Sequence, residues 1–312
     1  MISAIDIGGT KIAVGEVNES GKVVARLEVP TQAEQGFSHA MERIRKMLRA
    51  NAKSTGSNIL GIGIACTGPV DPFSGEIGNV DFLEGWQGHN PVQELSREFG
   101  VQAAMENDAD AGVLAEAAWG AGKGKRNLVY VTVGTGIGAG LILDGKLYRG
   151  VDQSHPELGH HVIDASGPAC GCGARGCWES LACGPAMVAW LEQRVPKNYP
   201  HLEDLTAKRI CELAEEGDFW ARRAVERESH YLGVGLANLI TLFTPEIIVL
   251  GGSVMNSAHL FRDGFQEVIR QTCRLVPAEK TELAVASFGP DSALIGAARV
   301  WHDRFGAAER EA

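Results

Sequence analysis

The stretch Glu157–Glu179, E-L-G-H-H-V-I-D-A-S-G-P-A-C-G-C-G-A-R-G-C-W-E, concentrates more chemistry than any other part of this 312-residue chain. His160, Cys170, Cys172 and Cys177 form a compact set of one imidazole and three thiols. Such a set offers Zn2+ four ligands in a closed tetrahedral arrangement. Gly171, Gly173 and Gly176 let the backbone turn tightly enough to aim close cysteines at one ion. His161 offers the same chemistry as His160, and chemistry alone does not separate them. The plain alternative is a glycine-rich loop with idle thiols. Three clustered cysteines beside a histidine favour metal when the rest of the chain lacks a secreted disulfide pattern.

The rest of the chain lacks one. Its seven cysteines are odd in number, three sit in this one loop, and a reducing cytoplasm fits them best. A hydrophobic content of 45% is ample for two domains with large cores. The formal net charge of -10, with no long basic run, argues against a nucleic-acid partner. There is no apolar run of about twenty residues to span a membrane. The first apolar run holds Asp6 and has no basic leader, which is unlike a signal peptide.

Working outward, the chain alternates strands and helices. Ile2–Ile7, Ile12–Val17 and Lys22–Val29 are extended runs separated by the turns Gly8–Lys11 and Asn18–Gly21, which predicts an antiparallel meander. Glycines between strands expose backbone N–H groups to an anion. Residues 36–50 carry apolar positions at helical spacing, and 59–65 is a strand. Pro91–Phe99 is helical, Val101–Met105 extended, and Ala109–Gly120 an alanine-rich helix whose start at Asn107-Asp108 is suited to capping. Leu128–Val133 leads into Gly134-Thr135-Gly136-Ile137-Gly138-Ala139-Gly140, then Leu141–Leu143 and an Asp-Gly turn. A dinucleotide fingerprint must open a helix; these glycines link two strands instead and repeat the pattern that opens the chain. Helices are expected at 185–193, 205–215, 260–270 and 292–305, with one or two more over 219–243 stopped by Pro245. Ile247–Leu250 and Leu283–Ala286 are strands, Gly251-Gly252 permits close approach, and Glu309–Ala312 reads as a frayed tail.

These motifs together resemble the ROK family of bacterial sugar kinases and sugar-responsive repressors. E-L-G-H and C-G-C-G-A-R-G-C-W-E match its zinc signature; D-I-G-G-T-K, G-I-G-I-A-C-T-G-P-V-D, E-N-D, V-G-T-G-I-G and L-G-G-S follow the family's order. The resemblance implies an α/β fold of two actin-like, ribonuclease H-like lobes around a central cleft. It implies an N-terminal lobe over 1–115, joined by about 292–312, and a C-terminal lobe over 116–291 that carries the zinc loop 157–179.

It also implies an ATP-dependent hexose kinase. Asp108 would be the catalytic base, kept ionised by its place at a helix N-terminus. Asn107, Glu157, His160, Glu179 and Gly68 would meet the sugar, so the resemblance selects His160 over His161 as the metal ligand. Asp6, Gly8, Gly9, Thr10, Lys11, Gly134, Thr135 and Gly136 would handle phosphates and hydrated Mg2+, and Gly251 and Gly252 the adenosine. Zn2+ would be structural. Glucose is the favoured sugar, with N-acetylmannosamine, N-acetylglucosamine or fructose as alternatives, because Ala65–Thr67 and the loop after Asn79 depart from the common form. ATP is favoured over polyphosphate, whose users lack the cysteine cluster. A non-catalytic sugar-sensing regulator is the competing class; Asp6 leaves no room for a preceding DNA-binding region, and repressors often lose the acid at Asp108. A homodimer or higher homo-oligomer is expected. Because the zinc cluster lies far from the phosphate motifs in sequence, loss of metal is expected to spare ATP affinity.

Overall fold

The computed structural model describes residues 1–306. It opens with β1 (Ile2–Ile7), β2 (Lys11–Val17) and β3 (Val23–Pro30), then α1 (Phe37–Thr55), β4 (Gly61–Cys66), α2 (Pro91–Phe99), β5 (Gln102–Asn107) and α3 (Asp108–Trp119). There follow β6 (Leu128–Val133), β7 (Ile137–Leu143), β8 (Lys146–Leu147), α4 (Trp178–Ala182), α5 (Gly184–Glu192), α6 (Ala207–Glu216) and α7 (Phe219–Phe243). The last elements are β9 (Ile247–Gly251), α8 (Ala258–Thr272), β10 (Glu282–Val285) and α9 (Ser292–Phe305).

One sheet has the order β3-β2-β1-β4-β5. β1, β2 and β3 are the expected antiparallel meander, with Ile2 opposite Val17 and Ile7 opposite Ile12, while β4 and β5 add in parallel. Successive strand residues face opposite ways, and the two faces differ in size. Ile5, Ile7, Ile12, Val14, Ile62 and Ile64 meet the apolar stripe of α1, including Phe37, Met41, Ile44 and Leu48. The opposite face is made small by Ala4, Ala13, Ala65 and Ala104, and receives Leu294, Ala297, Ala298 and Trp301 of α9. A Cβ at Gly63 would lie 1.8 Å from the Ala297 carbonyl oxygen, so backbone meets backbone there.

The other sheet has the order β10-β9-β6-β7-β8, with β9 parallel to both β6 and β10 and β7 antiparallel to β8. Its helices include α7, a single helix across 219–243, closed at Thr244 just before Pro245. Gly235 of α7 makes room for the buried Trp178 indole of α4.

The chain forms two compact units: Met1–Lys125 with Gly140–Pro156 and the chain from Pro290, and Arg126–Ala139 with Glu157–Gly289. Some boundaries differ from the sequence reading. α1 continues past Ala50 because nothing breaks it before Gly56, which ends it with φ 66°. β7 begins at Ile137, so Gly138 and Gly140 are strand residues and the turn is confined to Gly134–Gly136. Gly140 is small because α3 comes close: a Cβ there would lie 2.4 Å from the Ala109 carbonyl oxygen. The expected frayed tail at Glu309–Ala312 lies outside the described residues.

Candidate active site

In the first unit, Asp6 is half-buried near the end of β1 and Gly8–Thr10 form the turn into β2. Three hydrogen bonds hold that turn. Gly8 N–H donates to Lys11 O (3.0 Å), Thr31 N–H to Thr10 O (2.9 Å), and the Thr31 hydroxyl to Gly8 O (2.6 Å). Thr31 is wholly buried, and no sequence pattern marked it. The Lys11 ammonium pairs with Glu28 at 3.0 Å on the exposed side of the meander.

Asn107 ends β5 and caps α3: its Oδ1 accepts from Ala109 N–H (2.8 Å) and Asp110 N–H (3.3 Å). Capping engages the carbonyl and leaves the amide Nδ2 beside Gly68, where a Cβ would sit 2.8 Å from it. Asp108 is therefore the first residue of α3 and not its cap; its Oδ1 accepts from Ala109 N–H at 2.8 Å. β1, β4 and β5 run parallel in that order, which brings Asp6, near the end of β1, and Asp108, just after β5, into electrostatic range of each other. Burial first, and Asp108 second, push Asp6 up to about 7, against the pull of Lys11. A buried carboxylate raised in part by a second one nearby suits a bound divalent cation with oxygen ligands.

Two braces behind this acid pair were not legible in the sequence. Arg149 donates to Glu106 Oε2 through Nε (2.9 Å) and Nη2 (2.5 Å), and Glu106 is buried. His155 Nδ1 lies 2.9 Å from Asp110 Oδ2 in the first turn of α3, with both side chains buried.

In the second unit, Gly134 N–H donates to Gly136 O (2.9 Å), and Gly184 N–H to Gly134 O (2.8 Å). Thr135, between them, is exposed. The Glu179 carboxylate accepts from Ile137 N–H at 2.9 Å and lies so close that a Cβ on Gly136 would sit 2.3 Å from it. Gly252 has φ 87° and packs on the Val133 backbone, while Gly251 packs on the Tyr130 ring. The close approach these two glycines permit here is to β6.

The metal set is assembled in the same unit. His160 Nδ1 is 3.5 Å from Cys170 Sγ, Cys172 Sγ is 3.5 Å from Cys177 Sγ, and the four donor atoms lie within 4.8 Å of one another. Ligand bonds of about 2.0–2.3 Å around tetrahedral zinc space donors about 3.5–3.8 Å apart, so the set fits the ion. The loop closes through the bridges Val162–Cys177 and Ala169–Arg175. Gly176, at φ 69°, lies so near the Asp164 carbonyl oxygen that any Cβ would come within 1.6 Å. His161 turns elsewhere: its Nδ1 is 2.5 Å from Leu158 O and its ring meets Trp178 edge-on. Burial, then the neighbouring thiols, push Cys177 up to about 12, whereas hydrogen bonding from the backbone at Ala174 lowers Cys172. With Nδ1 given to the metal set, His160 Nε2 faces Glu179 Oε1 at 3.9 Å. That is too long for a direct hydrogen bond and leaves two polar atoms facing one space. Glu157 is exposed, and its carbonyl oxygen accepts from His160 N–H at 3.0 Å.

A strand-end acid pair, paired glycine turns and a His/Cys3 loop define a sugar-kinase type of protein, and the chain belongs to the ROK family, which it matches over residues 2–304. It is 30% identical to a glucokinase of Thermotoga maritima over 310 residues, covering 97% of each chain. It superposes on a ROK family glucokinase from Streptomyces griseus in complex with glucose and AMPPNP with a TM-score of 0.85, at 28% identity and covering 97% of this chain and 99% of that one. A ROK hexokinase from Thermus thermophilus gives 0.82 at 32% identity, covering 98% and 99%. The fold is the actin-like α/β fold of these kinases.

Proposed function

We propose that this protein is an ATP-dependent hexose kinase that transfers the γ-phosphate of ATP to the 6-hydroxyl of glucose. The observation that carries the reading is the approach of Asp6, near the end of β1, and Asp108, which begins α3 just after β5, with β4 between the two strands and Asn107 capping α3. Similarity to glucokinases over nearly the whole chain supports it. Asp108 accepts the proton of the 6-hydroxyl as that oxygen attacks the γ-phosphorus and ADP leaves. Asn107 donates from Nδ2 to the sugar, and Glu157, His160 and Glu179 orient further hydroxyls. Backbone N–H groups of Gly8–Lys11 and Gly134–Gly136 hold phosphate oxygens, and Gly251-Gly252 meet the adenosine. Asp6 positions hydrated magnesium, which when bound with ATP neutralises charge on the phosphates. His160, Cys170, Cys172 and Cys177 hold zinc with no open position, so its part is to fix the loop that aims His160. The enzyme works in the cytoplasm as a homodimer or higher oligomer; among the described residues no helix is long and apolar enough to cross a membrane.

A panel of hexoses and N-acetylhexosamines with ATP and magnesium, read by ADP release, tests this. Glucose should have the highest kcat/KM. A preferred N-acetylhexosamine or fructose would change the substrate. Sugar binding without ADP release from any hexose would instead make the protein a regulator.

A further inference from the structure

A cavity of about 750 Å3 lies within the first unit, and its walls come from α3, α9 and the β7–β8 hairpin. It is separate from the acid pair. Glu106 lines it, but Asn107 and Asp108 do not; adjacent strand residues point to opposite faces, so β5 has one side for each.

The cavity is cationic in an acidic protein. Lys125, Lys146, Arg149, Arg299 and Arg304 line it. Against them stand Glu106 and Asp303, leaving an excess of three positive charges in a chain whose net charge is -10. Arg149 is committed to Glu106, and Arg299 to Asp303 at 2.5 Å. Arg304 donates to the Pro72 carbonyl and stacks over Phe73, 5.0 Å from the ring centre. Burial works against the Arg304 charge, with Glu106 supporting it and Arg149 opposing it. Two guanidiniums thus crowd one buried carboxylate, with lysines at the rim. Leu114, Ile142 and Val300 supply apolar wall between them. A concave site with apolar walls and a few convergent charges is built for a small ligand, and walls of low dielectric concentrate its field.

We propose that this cavity binds a small phosphomonoester dianion, at a site distinct from the one that handles ATP. Two negative charges and three acceptor oxygens match the excess charge and the forked donors of arginine. Glu106 precedes Asn107 on β5, and Leu114 lies on the helix that Asp108 begins, so the occupant would touch the elements that carry the acid pair.

Inorganic phosphate is the probe, titrated by calorimetry into the full-length protein at constant ionic strength, with AMPPNP, magnesium and glucose saturating the other phosphate-handling groups. Saturable one-site binding is expected. Lys146→Glu, exposed on strand β8, and Arg299→Glu should each weaken it about tenfold or more. Lys53→Glu, the same charge change on the exposed end of α1, should leave it within about twofold. Absence of saturable binding, or equal weakening by Lys53→Glu, would overturn the proposal. So would binding unchanged in both cavity variants.

Discussion

The two sheets solve one problem in two ways. Taken from its antiparallel edge, β3-β2-β1-β4-β5 corresponds to β8-β7-β6-β9-β10, and in each a glycine turn joins the central strand to its neighbour. In the first, the turn is held by Thr31, a neutral hydroxyl that follows β3 of the same sheet. In the second, it is held by the Glu179 carboxylate, two residues after the metal-set member Cys177. Equal topology therefore does not mean equal dependence. The first turn needs only its own sheet. The second is tied through Glu179 to α4, the short helix that follows the metal loop, so metal loss should reach ATP handling, against the expectation that the zinc cluster leaves it untouched.

The most severe way to break the comparison is at the acid, which only the first unit carries. Asp108→Asn should lower kcat by about 10²–10⁴-fold while sugar binding, read by calorimetry, persists. Asn107 still caps α3 in that variant, so the fold should hold. Near-normal turnover would move the proton to another group.

Next is the metal. Cys177→Ser should lose zinc and weaken sugar binding by about ten- to a hundredfold, as the aimed His160 hydrogen bond costs about 1–3 kcal/mol. The Glu179 link adds a second expectation, a rise in KM for ATP of about two- to tenfold. Glu179→Ala should raise KM for ATP likewise while zinc, measured by metal analysis, stays bound. An unchanged KM for ATP in both variants would make the two turns equally independent of the metal.

A third contrast concerns buried acids. Glu106 in the first unit is paired by Arg149, but Glu228 on α7 is fully buried and neither of its oxygens has a hydrogen-bond partner among the described residues. The Arg227 guanidinium is 3.8 Å away, and burial, against its pull, pushes Glu228 up to about 8. A carboxyl raised on folding favours the native state below its unfolded pKa and loses that contribution as pH rises through the folded value. Glu228→Gln should therefore stabilise the protein by about 1–2 kcal/mol at pH 8, with the gain fading toward pH 4.5. Urea melts at the two pH values would check it, and a gain independent of pH would count against an ionising Glu228.

The smallest effect should come from Thr31→Val, which removes one hydroxyl bond from the first turn. About 1 kcal/mol, or a few-fold in KM for ATP, is expected with zinc content untouched. A loss as large as that of Glu179→Ala would mean that the two supports are equivalent after all.

What the sequence made legible was whatever depends on neighbours along the chain. The meander followed from short apolar runs and turn residues, and Ser292–Phe305 from helical spacing. The His/Cys3 set followed from its spacing, and geometry then separated His160 from His161 through the Leu158 carbonyl. The illegible parts are contacts between distant positions: Thr31 with Gly8, Arg149 with Glu106, His155 with Asp110, Glu179 with Ile137. Gly140 misled for the same reason. Nothing near it in the chain says that α3 will pass so close that this strand position must be glycine.

The placement of α9 has a consequence for how the protein is made. Its Trp301 indole donates to Gln102 O at 3.0 Å, and its alanines cover the small-residue face of a sheet whose last strand ends at Asn107. A ribosome releases that sheet long before the helix that covers it. Until Ser292–Phe305 emerges, the nascent first sheet has an unclosed apolar side, and a holding chaperone would find its target there during the synthesis of everything between. A premature stop codon just before Ser292 would leave the acid pair, the glycine turns and the metal set in the chain, yet yield a chain unable to complete its first core.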